Sequence, residues 1–266
     1  MSNYRLLDVG GTFIKCADGR AVPVDSAGSR ESVAASLREA LGDVSGLDGV
    51  GIAIPGPFDY RQGIFLMRHK FAAVYGEDFR TLAGLPDGLE IRYGHDVTCI
   101  LEGAIRRMGL RSNTALVTLG TGLGFAHARD GEVQYNEKGS PARSVYSLPY
   151  RDGIIEDYVS ARGIQRTYRS KGGDADASVL TIARRAYGGE TAALETFAET
   201  GAHLGNVLPP VLEETLVDTL LFAGQIARSF SLLEGPLRAA LAPLEQLRTI
   251  GPAPGGAVFD GLAALF

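Results

Sequence analysis

Two stretches of the chain share one pattern of apolar and polar positions. RLLDVGG (5–11) is an apolar run that breaks at Gly10-Gly11. The TFIKC that follows is again apolar and β-branched, and it closes on Asp18-Gly19, a two-residue hairpin signal. From Ala115, ALVTLGTGLGFAHARDGEVQY repeats the design. An apolar run meets a turn containing Gly120, Gly122 and Gly124, a second apolar run follows, and Asp130-Gly131 makes the next hairpin signal. Gly10 and Gly120 open the two turns 110 residues apart. The pattern predicts an internal duplication: two domains that each begin strand, glycine turn, strand, Asp-Gly turn, strand.

The remaining segments alternate between strand and helix. LDGVGIAIPGPFD (47–59) reads as a buried strand broken at Pro55-Gly56-Pro57. LEIRYGHD (89–96) is a strand that runs into VTCILEGAIRRMG (97–109), an amphipathic helix ended by Gly109 with Arg106 and Arg107 in its last turn. ESVAASLREALG (31–42) is a second helix. Residues 153–207 are mostly helical in pattern, interrupted at Gly172-Gly173 and Gly188-Gly189. LVDTLLFAG (216–224) is a buried strand, and SFSLLEGPLRAALAPL (229–244) a helix with a break near Gly235-Pro236. Such alternation implies an α/β fold, with parallel sheet segments covered by helices. A chain of 266 residues holds one large domain or two of ordinary size. The boundary falls at Leu110–Thr114. Residues 1–112 form an N-terminal α/β domain, with 252–266 a candidate to complete it, and residues 113–251 form a C-terminal one.

Composition narrows the function classes. With 45% apolar and 21% charged residues the chain reads as a soluble globular protein. A formal net charge of -5 offers no basic field to nucleic acid or to an anionic membrane. No apolar run approaches the ~20 residues that span a bilayer. MSNYRLLDVGG lacks a signal-peptide pattern, so the expectation is a cytoplasmic protein. Cys16 and Cys99 lie far apart with no CxxC, which argues against a disulfide scaffold or a structural zinc site. Histidines 69, 95, 127 and 203 form no metal spacing.

The two glycine turns carry the candidate chemistry. A Rossmann or Walker turn needs a helix directly after the glycines, so that the helix N-terminus holds the phosphate. Here a strand follows both times, and there is no GxxxxGK[ST]. What remains is a β-hairpin whose glycine turn lets backbone N–H groups approach phosphate oxygens: Gly10, Gly11 and Thr12 in the first, Gly120, Thr121 and Gly122 in the second. Asp8 ends the strand before the first turn. It would hold Mg²⁺, directly or through water, or else cap the turn. Lys15 is placed either to pair with a phosphate or to be solvated. Asp96 is read as an N-cap at the end of its strand. It is also the candidate general base, a role worth about 10²–10⁴-fold in rate, and the two roles are compatible. Gly224 follows a buried strand and is either a nucleotide contact or an ordinary turn. Glu137 and Glu156 are single acids without a template of their own.

These residues resemble the ROK family (repressors, uncharacterised reading frames and sugar kinases), which has a two-domain actin-like ATPase fold. DVGGTFIK (8–15) is similar to the family's first phosphate motif, DxGGTxxK, and LVTLGTGLGFA (116–126) to its second. GIAIPGPFD (51–59) resembles its PGP strand. His95-Asp96 followed by Gly103 resembles the segment carrying a sugar contact and the catalytic aspartate. Glu137-Lys138-Gly139-Ser140 resembles the sugar-binding ExGH, EDYVS (156–160) the ExYxS whose glutamate touches the sugar, and FAGQI (222–226) the adenosine motif.

The resemblance implies an ATP-dependent sugar kinase with Asp96 as base. It implies His95, Glu137 and Glu156 on a sugar lying between the domains, and ATP and Mg²⁺ as cofactors. It also implies a homodimer, with no nucleic-acid or membrane partner. The chain departs from the family in having no cysteine after Cys99, Ser140 in place of the zinc-linked histidine, Leu148–Gly153 in place of the zinc cluster, and His95 in place of asparagine. No zinc is therefore expected. Only seven residues precede DVGGT, so the expectation lies outside the family's repressor branch. A non-catalytic sugar- or nucleotide-binding protein of this fold, and a kinase of a non-sugar substrate, stand as the alternatives.

Overall fold

The computed structural model describes residues 3–266. The chain forms two compact units. One runs to Gly109 and takes in Tyr135–Ala142 and Gly256–Phe266, and the other comprises Leu110–Gln134 and Arg143–Gly255.

The first unit opens with an antiparallel meander, β1 (Tyr4–Val9), β2 (Phe13–Cys16) and β3 (Ala21–Pro23). Helix α1 (Arg30–Leu41) is capped by the Ser29 hydroxyl and leads to β4 (Gly49–Ile54). A short pair, β5 (Phe58–Asp59) and β6 (Ile64–Phe65), is followed by α2 (Phe79–Ala83), β7 (Glu90–His95) and α3 (Asp96–Met108). The sheet order is β3-β2-β1-β4-β7, and β1, β4 and β7 run parallel. Every residue of β4 is buried, as its unbroken apolar run requires of a central parallel strand. Alternation along β1 sends Leu7 and Val9 to the core under α1 and sends Leu6 to the opposite core.

The second unit repeats the plan. Strands β8 (Thr114–Leu119), β9 (Leu123–Arg129) and β10 (Glu132–Val133) form the meander. A small hairpin, β11 (Pro149–Tyr150) and β12 (Gly153–Ile154), precedes α4 (Glu156–Val159), α5 (Ala161–Ser170), α6 (Val179–Tyr187) and α7 (Thr191–Glu214). Then come β13 (Thr219–Ala223), α8 (Phe230–Leu241) and β14 (Thr249–Pro252). The sheet order is β10-β9-β8-β13-β14, with β8, β13 and β14 parallel. Order and strand sense match the first sheet, so the duplication read from two glycine turns is a duplication of whole sheets. The chain ends in α9 (Ala257–Ala263), which belongs to the first unit.

Helix α9 packs on α3 at backbone contact. A Cβ on Gly103 would overlap the Ala257 carbonyl, and one on Gly261 would overlap the Cys99 carbonyl. These two glycines bring the helices together beside Leu6 and Ala53.

Two local expectations are corrected. Helix α8 does not break at Gly235-Pro236; it runs through Pro236. Proline removes one N–H, but the stripe Leu233, Leu237 and Leu241 stays buried in the core shared with α7 and holds the helix together. The N-cap of α3 is His95, and Asp96 is the first helical residue. Among the described residues no helix is long and apolar enough to cross a membrane.

Candidate active site

In the first unit the candidate residues gather at the carboxyl ends of the parallel strands, where α/β sheets place their ligands. Strand register sets Asp8 level with Ala53 on β4 and Gly94 on β7, two strand spacings or about 10 Å across the sheet. The chain then passes His95 and starts α3 at Asp96. The Asp96 carboxylate accepts the Val97 N–H at 2.8 Å and lies 2.7 Å from His95 Nδ1. That nitrogen is also 3.3 Å from the Val97 amide. It cannot both donate and accept with one proton site. The shorter contact to the carboxylate puts the proton on Nδ1 and gives the Val97 amide to Asp96. His95 thereby fixes the carboxylate rather than competing for the helix cap. Tyr60 holds the other side of His95: the ring centroids are 5.7 Å apart, and the phenol donates to the Ile54 carbonyl at 3.0 Å.

The two carboxylates are driven in opposite directions. Burial works against the Asp96 charge, but the His95 ring, the bonds from His95 and the Val97 amide, and the Lys70 ammonium outweigh it. Asp96 is held below the ordinary carboxylate value and is ionised at neutral pH. Burial pushes Asp8 up, Lys15 opposes this, and the Asp96 charge adds to it. Lys15 is exposed but not free. It lies directly across the hairpin from Asp8 and pairs with it at 3.0 Å. A partly buried carboxylate under the field of a second one favours a cation, and Mg²⁺ commonly uses one or two carboxylates, with waters and substrate phosphates completing its shell. The Asp8 side fits that ion. Among the described residues no three His, Cys, Asp or Glu side chains gather as a metal cage.

The glycine turns present free donors. Gly10 N–H bonds the Phe13 carbonyl at 3.0 Å, and in the second unit Gly120 N–H bonds the Gly122 carbonyl at 3.0 Å. The amides of Gly11, Thr12, Thr121 and Gly122 donate to no group among the described residues. The Thr12 and Thr121 side chains are exposed. Backbone donors are nearly always satisfied, so a run of open ones at a turn is a place for an anion or water.

The sequence reading missed Lys70, in a segment whose pattern carried no preference. The carbons of its side chain lie over Gly11, and Phe71 beside it is fully buried. Glu137 stands exposed in the Asn136–Ser140 turn, which the structure assigns to the first unit. Tyr135 and Gly139, on either side of it, share the wall of a cavity of about 200 Å³ with Tyr60, Thr98 and Cys99 at the start of α3.

In the second unit Gly120, Thr121, Gly122, Glu156 and Gly224 come together. Glu156 accepts the Leu123 N–H at 2.8 Å, and a Cβ on Gly122 would stand 2.8 Å from its Oε2. Gly224, at φ +94°, packs its bare Cα on the backbone of Leu119, the residue before the turn. Glu156 is delivered by the β11–β12 hairpin, which ends two residues before it. An aromatic trio holds that hairpin: Tyr150, Tyr158 and His203 meet edge-on with centroids 5.1–5.4 Å apart. The Tyr150 hydroxyl is 2.9 Å from His203 Nδ1.

His203 makes the second unit pH-sensitive. Burial lowers its pKa, Arg151 and Arg166 add to this, and Glu199 opposes it. Burial, the largest cause, also lowers His127. The unfolded histidine takes up its proton near pH 6.5 and the folded one only below that. Stability is therefore complete above about pH 6.5 and declines as pH falls toward the lowered value. The melting temperature is expected to drop between pH 7 and 5, and His203→Phe, which keeps a ring in the trio, should flatten that drop. Equal slopes in the two proteins would remove His203 from this account.

No family model matches the sequence, and no curated protein matches it. Solved structures do. A ROK family glucokinase from Streptomyces griseus, in complex with glucose and AMPPNP, is similar at TM-score 0.82 and 19% identity, covering 97% of each chain. A ROK hexokinase from Thermus thermophilus matches at TM-score 0.71 and 20% identity, over 97% of this chain and 96% of its own. A ROK family transcriptional regulator, a homolog of the E. coli MLC protein, matches at TM-score 0.73 and 16% identity, over 99% of this chain and 78% of its own. At such identities the likeness establishes the fold. The chain has the duplicated α/β, actin-like ATPase fold of the ROK proteins.

Proposed function

We propose that the protein is an ATP-dependent kinase of a hexose or hexose derivative. The observation that carries this reading is the pairing of an ionised Asp96 with a partly buried Asp8 at the strand ends, beside a glycine turn with open amides. Asp96 takes the proton from the attacking sugar hydroxyl. The hydroxyl oxygen forms its bond to the γ-phosphorus, the bond from that phosphorus to the β-phosphate oxygen breaks, and ADP leaves with the electron pair. The amides of Gly11, Thr12, Thr121 and Gly122 hold phosphate oxygens, and Gly224 supports the second turn. Mg²⁺ at Asp8 supplies charge to the phosphates when bound. His95, Glu137 and Glu156 serve as sugar contacts, and the resemblance carries with it a homodimer. Likeness to an AMPPNP-bound glucokinase supports this reading.

The test is ADP release from MgATP against hexoses, amino sugars and N-acylated amino sugars. Turnover with one class is expected. If no acceptor releases ADP while a sugar still raises the melting temperature by mass action, the protein is a binder of this fold and the kinase reading is wrong.

A further inference from the structure

Lys15, read from the sequence as either a phosphate partner or a solvated residue, pairs with Asp8 at 3.0 Å. Another cation stands at the same turn. The Cδ and Cε atoms of Lys70 lie 3.7 and 3.8 Å from where a Cβ on Gly11 would sit. Lys70 forms no ion pair among the described residues. Its place is fixed by its neighbour rather than by its own contacts. Phe71 is fully buried and holds φ +52°, a left-handed conformation that a non-glycine residue keeps only when its surroundings enforce it. Its N–H donates to the Ser26 carbonyl at 2.6 Å, and the Ser26 N–H donates to the Gly11 carbonyl at 3.2 Å. Two hydrogen bonds thus tie the Lys70 segment to the glycine turn. One strand-length back, Leu66 N–H is tied to the Pro57 carbonyl at 3.1 Å.

We propose that Lys70 is a catalytic residue whose ammonium contacts the terminal phosphoryl group of the nucleotide at the Gly10–Thr12 turn. This rests on the kinase reading above. A solvated surface lysine would need neither the strained Phe71 nor the tether to Gly11. Lys70 takes no part in the proton transfer. It donates hydrogen bonds to a non-bridging γ-oxygen as the phosphorus passes from the β-phosphate oxygen to the sugar oxygen. Charge-assisted donors aimed at such oxygens act where charge develops.

The experiment compares wild type, Lys70→Met and Lys70→Arg. AMPPNP and ADP are each titrated with Mg²⁺, and turnover is measured on the sugar found above. A contact to the terminal phosphoryl group predicts that the ratio of AMPPNP to ADP affinity falls about tenfold or more in Lys70→Met, ADP itself binding as before. Lys70→Arg should keep most of the ratio. The kcat of Lys70→Met should fall about 10²–10³-fold, with the sugar KM within about threefold of wild type. Melting temperatures of all three should agree, since the side chain supports no packing that methionine cannot supply. An unchanged affinity ratio overturns the assignment. A wild type that binds AMPPNP but phosphorylates nothing overturns the kinase reading alone, because the ratio still reports the Lys70 contact. A wild type that binds neither nucleotide overturns both.

Discussion

Asp96→Asn is expected to lower kcat about 10²–10⁴-fold while the fold and nucleotide binding persist. The substitution is nearly isosteric. The asparagine oxygen can still accept the Val97 N–H that Asp96 accepts at 2.8 Å, so the start of α3 is kept. What disappears is the ability to accept a proton. The wild-type carboxylate has it at neutral pH because His95, Val97 and Lys70 outweigh the cost of burial. The change also removes the negative charge that pushes Asp8 up, so Asp8 should titrate closer to its ordinary value. Affinity for MgATP should therefore hold or change little. Steady-state kinetics with parallel nucleotide titration decides the matter. A variant that keeps kcat within about threefold of wild type would show that the proton leaves by another route. A variant that loses nucleotide binding and melts early would show that Asp96 is structural.

Gly224→Ala should be a strongly damaging small change in the second unit. Two penalties act together. At φ +94° a side chain is strained, by about 1–2 kcal/mol for the left-handed region. The added methyl would also overlap the Leu119 carbonyl oxygen and crowd the Leu119 amide. That neighbour is backbone, pinned by the β8–β9 pairing of Leu119 with Leu123, so it cannot swing away as a side chain would. Overpacking of this kind costs about 1–3 kcal/mol. Together they predict a drop in melting temperature of roughly 4–20 °C, taking ~2–4 °C per kcal/mol for a protein of this size. Relief can come only by displacing Leu119, which carries Gly120 with it, so nucleotide affinity should fall alongside. Calorimetry and nucleotide titration read both effects. Unchanged melting would mean that the Gly224 turn can relax, and the contact with Leu119 would lose its importance.

The elements that were legible in the chain are those whose cause is local. Gly10-Gly11 and Gly120–Gly122 break apolar runs, Asp18-Gly19 and Asp130-Gly131 turn hairpins, and Gly109 ends α3 in the left-handed conformation. Each works through the backbone freedom of one or two residues, so each can be read in place. The burial of β4 was equally legible, because a strand covered on both faces has no polar side to show. Asp96 was read one place off in its helix, as the cap rather than the first helical residue, since an aspartate at either position leaves the same signature.

Tertiary structure alone decided the rest. That Lys15 is taken by Asp8 depends on strand register, and that Glu156 reaches the Leu123 amide depends on a hairpin held by His203 across the second unit's core. That α8 survives Pro236 depends on the apolar face it shares with α7. Lys70 had no motif at all, because nothing near it in the chain predicts that Phe71 will be held left-handed against Ser26, with the lysine stem over Gly11. The sequence by itself determined where the backbone turns and which faces turn inward, since those follow from each residue's own conformational limits and solvation. Which side chains then meet was settled by packing between segments far apart in the chain, because a residue's periodicity records that it is buried but not what it is buried against.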